Sequence, residues 1–219
     1  MTSTPAVKES TFEVHNSQSA AQEWHRLAGY ESRLNQLIND LPSRLRLPKG
    51  AALSEGETVG LTATTTLTAP LRPPEGVTAS EPVEKVNHTL AARTFSGPNG
   101  EQVAACAAII EGVDTSYKTV DVFLLEAIDG DLLHANELVV TSTGSLEERD
   151  GWWDRVIRCL GRDCGGVCLS AAVSCPKVNW AAFLICLAGR CGVCVIKCGA
   201  CATCDCSWWC KWAAGCCED

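Results

Sequence analysis

The sequence predicts an α+β chain: an N-terminal helix packed on an antiparallel β-sheet, followed by a small disulfide-rich, mainly helical C-terminal module. Three observations carry that expectation. Apolar residues recur at helical spacing between Ala20 and Leu41, β-branched residues alternate from Thr58 to Thr143, and fourteen of the fifteen cysteines lie between Cys159 and Cys217. The chain divides accordingly into residues 1–143, an acidic helix-and-sheet domain, residues 144–151, a linker, and residues 152–219, the cysteine-rich module.

In the first stretch Trp24, Leu27, Leu34, Leu37, Ile38 and Leu41 follow steps of three, four and seven, which places them on one helical face. Ser17 or Ser19 is positioned to cap the start, and Pro42 to end the run. Such a stripe faces a core and calls for no ligand.

The texture then changes to TVGLTATTTLTAPLR, VNHTLAARTFSG, EQVAACAAIIEG, KTVDVFLLEAI and DLLHANELVVTST, which read as strands. SGPNG at Ser96–Gly100 and AIDGD at Ala127–Asp131 supply turns. The proline-rich span Pro70–Pro82 cannot continue a ladder and reads as a loop. The sheet is expected to be covered on one face by the helix.

Nothing in this domain assembles a catalytic, cofactor or metal site. His15, His25, His88 and His134 are scattered without ligand spacing, Asp129 and Asp131 are turn formers, and Cys106 within VAACAAII reads as a small buried hydrophobe.

The net charge of -8 is unevenly placed: residues 151–219 hold seven basic and five acidic side chains, and the rest of the chain holds 11 and 21. An acidic first domain argues against nucleic acid as its partner. It suits a contact with the mildly basic module by complementary charge. The N-terminus shows no signal peptide, and the charge-free run Val178–Gly189 is too short for a membrane span of about 20 residues. The expected precursor is therefore soluble and cytoplasmic when made.

Thr141–Gly151, TSTGSLEERDG, is polar and reads as an exposed connector. Gly144, Glu148, Arg149 and Gly151 mark the expected processing region.

Fourteen close thiols admit three uses. Cys191-x2-Cys194, Cys198-x2-Cys201 and Cys201-x2-Cys204 have the gap of zinc sites, but a ribbon separates its pairs by roughly 15–20 residues. An iron-sulfur run fails where Trp208 stands in place of a fourth cysteine. A disulfide framework fits best: the count is even, and Trp180, Phe183 and Leu184–Leu187 supply apolar area that a metal cluster has little use for. The bridging set is Cys159, Cys164, Cys168, Cys175, Cys186, Cys191, Cys194, Cys198, Cys201, Cys204, Cys206, Cys210, Cys216 and Cys217, with no pairing assigned. Trp180, Leu184, Leu187, Cys191, Cys194, Cys198 and Cys201 share one face if helical, and Cys164/Cys168 and Cys206/Cys210 repeat a four-residue step. Short helices cross-linked through their inner faces are expected. Gly189, Gly192 and Gly199 argue against one long helix.

CGGVCLSAAVSCPKVNWAAFLICLAGRCGVC, Cys164 to Cys194, resembles the cysteine-rich part of the halocin C8 family of peptide bacteriocins. The likeness rests on Cys164, Cys168, Cys175, Cys186, Cys191 and Cys194, and covers about a third of the chain at most. It implies a precursor whose C-terminal antimicrobial peptide is released by a protease, exported and secreted, with the N-terminal part serving as propeptide or immunity partner. Trp208, Trp209 and Trp212 are then the expected contacts to a target-cell membrane or an envelope receptor. The chain departs from the family in lacking an export signal and in the cysteine density of residues 198–217. An intracellular zinc-binding or redox-sensing protein is the alternative reading, and an enzyme is not expected, because the module contains no histidine to activate a cysteine.

Overall fold

A computed structural model describes residues 7–45, 47–48, 53–72, 81–98, 102–128, 131–140, 146–149, 151–175 and 180–204. In chain order its elements are β1 (Val7–Val14), α1 (Ser17–Tyr30), α2 (Ser32–Arg44), β2 (Ser54–Leu71), β3 (Val83–Ser96), β4 (Gln102–Gly112), β5 (Lys118–Ile128), β6 (Asp131–Val140) and β7 (Leu146–Arg149). Four further helices follow, α3 (Trp152–Asp163), α4 (Gly165–Ser174), α5 (Trp180–Cys191) and α6 (Val193–Thr203). The strands make one antiparallel sheet in the order β1 to β7, each paired with the next. The α+β class is as expected, and each of the five alternating stretches is a strand.

The first helical run is two helices. The Asn16 side chain, not Ser17 or Ser19, caps α1 by accepting the Ser19 backbone N–H at 3.0 Å. At Glu31 the backbone turns extended, and its carboxylate caps α2 by accepting the Arg33 N–H at 3.0 Å. Burial of this carboxyl would raise its pKa, but hydrogen bonds from Arg33 prevail and hold it below the ordinary value. Pro42 lies inside α2 near its end, where only one ladder donor is lost, and the helix stops at Arg44. Trp24, Leu27, Leu34, Leu37 and Leu41 are all buried, as their spacing predicts.

Side chains along a strand alternate between faces, so the sheet has two. Phe95, Val103, Ala107, Ile109 and Leu124 face α1 and α2 and form one core with their leucines. Arg93 fastens this layer, with its guanidinium 5.3 Å from the Trp24 ring centroid and 3.0 Å from Glu55. Leu61, Leu90, Cys106, Phe123 and Leu125 point the other way, into a second core completed by α3–α6. The molecule is therefore helix on sheet on helix, and β4 is buried along almost its whole length.

Two departures from the expected organisation follow. The cysteine-rich helices share their core with the sheet. The connector is partly structured as well, because Leu146–Arg149 form β7, in which Arg149 pairs with Glu137 and Glu148 with Leu138. A polar sequence can do this because ladder hydrogen bonds use the backbone, whatever the side chains.

Candidate functional site

The cysteine-rich helices begin at Gly151, a buried residue whose extended backbone precedes α3. On α3, Val156, Cys159 and Leu160 recur at three- and four-residue steps and are buried together. Cys168 and Ala171 of α4 and Cys175 at its C-cap do the same. On α5 and α6, Leu187, Ala188, Val195, Ile196, Cys198 and Ala202 are buried in the same core.

Four bridges join these faces: Cys159–Cys198, Cys164–Cys194, Cys168–Cys191 and Cys175–Cys186, with Cα–Cα separations of 5.4, 6.0, 5.4 and 5.8 Å. The pairing is fully nested, as in an antiparallel ladder. Reading outward from residues 176–179, each earlier cysteine meets the next later one. Consequently α4 lies against α5 and α3 against α6. The continuous face expected from Trp180 to Cys201 is bent by 114° between its two arms. Gly192 makes that break with φ 51 and ψ -129, a conformation open to a residue without a Cβ.

Cys201 and Cys204 are also disulfide-bonded. Cys206, Cys210, Cys216 and Cys217, the indoles Trp208, Trp209 and Trp212, and Gly144 lie outside the described residues. Of the expected processing residues, Glu148 and Arg149 stand in β7 and Gly151 caps α3. Among the described residues no group of three or more His, Cys, Asp or Glu converges as a metal site. Nor is any single described helix long and apolar enough to cross a membrane.

The hairpin sits on the sheet through apolar side chains, with a polar clasp at one end. The Arg155 Nε–H donates to the Ala202 carbonyl at 3.0 Å, tying α3 to α6, and its Nη2 lies 3.5 Å from an Asp121 carboxylate oxygen on β5. Among the described residues, Arg155–Asp121 is an ion pair between the cysteine-rich helices and the sheet. Behind it lies His88 of β3, 8% exposed, whose Nε2 is buried without a hydrogen-bond partner. Burial alone pushes its pKa down to about 4. In the sequence His88 is one of four scattered histidines without ligand spacing. The alternation of β3, which turns residue 88 to the same face as Leu90, could have flagged it.

Cys106 is buried and free, and desolvation raises its thiol pKa well above the ordinary value. It packs as an apolar side chain beneath the hairpin.

Compared with protein-family models, curated proteins and solved structures, the chain matches none.

Proposed function

We propose that the chain is the precursor of a disulfide-stabilised antimicrobial peptide of the bacteriocin kind, similar in its cysteine spacing to the halocin C8 family. The released C-terminal module acts on a competitor's membrane or envelope. The N-terminal domain is its propeptide and immunity partner. The observation that carries this reading is the nested ladder: four bridges stitch a short helical hairpin whose apolar face is covered by the preceding domain.

The physical logic is one of masking. A hairpin held by covalent bonds keeps its shape without the sheet, so its apolar face can be traded from the sheet to another apolar surface. The low positive charge of residues 151–219 favours hydrophobic insertion or a protein receptor over adsorption by charge. A processing protease and an exporter complete the scheme, which ends in secretion, where disulfides persist.

The test uses the full chain with a protease site placed in residues 141–145, oxidised, cut and separated under denaturant. The C-terminal fragment should inhibit growth of related microbes or leak dye from vesicles. Adding back the N-terminal fragment should suppress the effect. Absence of both activities would overturn the reading. So would stoichiometric zinc on free thiols in freshly isolated protein, which favours the intracellular metal-binding alternative.

A further inference from the structure

The seam between sheet and hairpin holds a cavity with room for about 20 Å³ of water-sized occupancy, enough for about one water molecule. His88 opens into it from the sheet, opposite Val156 of α3 and Val195, Ile196, Gly199 and Thr203 of α6. The strand beneath cannot turn the ring elsewhere. Its backbone is pinned on both sides, with His88 opposite Ala63 of β2 and Ile110 of β4.

We propose that His88 is an acid-operated latch: a proton on its ring drives the disulfide-laddered hairpin off the sheet as one body. The latch concerns docking alone and holds whatever the hairpin's target.

Three observations support it. First, none of the described lining residues is a carboxylate, and the His88 Nε2 is buried without a hydrogen-bond partner. Thr203, the polar side chain opposite, donates its hydroxyl to the Gly199 carbonyl at 2.9 Å, and desolvation is the sole influence found on the His88 ring.

Second, the described charged groups on the surrounding elements lie at the surface or in pairs of their own. Arg155 of α3 is turned to Asp121 of β5 and the Ala202 carbonyl, while Asp154, Arg158 and Arg162 of α3 are exposed, with Asp163 paired to Arg162. Lys197 of α6 and Arg190 of α5 are exposed, as are Glu84 and Lys85 of β3 and Lys8, Glu9 and Glu13 of β1. Glu111 of β4 meets Arg26 on the opposite layer, and Glu55 of β2 is engaged by Arg93.

Third, the bridges make release a unit event. The hairpin leaves with its fold intact, because the four described bridges join α3–α6 to one another and none of those four reaches the sheet.

The direction follows from linkage. The docked ring is neutral down to about pH 4, whereas a released ring titrates near its ordinary 6.5. Between these values the released state holds one more proton. The released-to-docked ratio therefore rises by up to tenfold per pH unit, about 80-fold from pH 6.5 to 4, and levels off below pH 4 at about 300-fold over its neutral-pH value.

Hydrogen exchange of the oxidised full chain, followed by mass spectrometry from pH 7 to 3.5 and corrected for intrinsic rates, reads the opening of the seam. Wild type should lose protection in peptides of β3, β4 and α6 together, with all bridges intact on a non-reducing gel. His88→Leu, which suits the apolar lining, should hold its protection at least one pH unit lower. His15→Gln controls for a half-buried histidine whose Nδ1 is also without a partner, and Asp121→Asn for the carboxylate at the clasp; both should keep the wild-type slope. A pH profile in His88→Leu matching wild type overturns the proposal. If that variant does not fold, NMR titration of the wild-type His88 ring decides: ionisation near 6.5 without any opening overturns it, and ionisation coupled to opening sustains it.

Discussion

Cys198 is fully buried and its partner Cys159 nearly so, which sets their bridge apart from Cys164–Cys194, where both residues are half-buried. A reductant reaches the second before the first. Replacing both Cys159 and Cys198 by alanine should cost about 2–5 kcal/mol, the usual range for a native bridge in a small module. Thermal melts under non-reducing conditions would measure it, and an unchanged midpoint would show that the other rungs carry the load. Cys106 tests burial in a different way. Its thiol is both enclosed and held protonated, so iodoacetamide at pH 8 should leave it unlabelled in the folded chain and modify it after guanidinium unfolding. Peptide mapping reads the difference. The sequence made the chemistry of these residues legible, since an even count among apolar neighbours already favoured bridges, but spacing alone could not say who pairs with whom.

Helix boundaries show where local signals suffice. Trp24 to Leu41 revealed the buried face, while the break at Glu31 depended on a carboxylate meeting Arg33, which in turn donates to the Val120 carbonyl on β5 at 2.8 Å. That partner is 87 residues away in the chain. Asn16→Ala should destabilise α1 by about 1 kcal/mol through loss of its cap, measurable by urea unfolding. The bend at Gly192 is stricter, because alanine there has open space around its Cβ but the wrong backbone torsion. Gly192→Ala should cost roughly 1–3 kcal/mol and hinder closure of Cys168–Cys191, visible as scrambled pairing after oxidative refolding. Glycine in this stretch was readable as a helix breaker. Which of Gly189, Gly192 and Gly199 would break it was not, since that choice belongs to the antiparallel approach of α5 and α6 to their partners.

At the scale of the molecule, removing the hairpin leaves Leu61, Leu90, Phe123 and Leu125 uncovered on one sheet face. A fragment of residues 1–149 should therefore bind the dye ANS or self-associate, while the full oxidised chain does neither. A fragment that stays monomeric and dye-silent would mean that the sheet face closes by other means. One stretch could have flagged this burial: VAACAAII in β4 runs apolar without alternation, as a strand covered on both faces should, and its alanines leave room for helices to approach. The α+β class, the strands, the apolar helix face and the sulfur chemistry are all legible in the chain, because each is written in periodicities and residue types that act over a few neighbours. The nested pairing, the strand made from the polar connector, the shared core and the isolation of His88 come from the fold. Those depend on which distant surfaces meet, and burial creates the energetic cost of an unpartnered ring only after they have met.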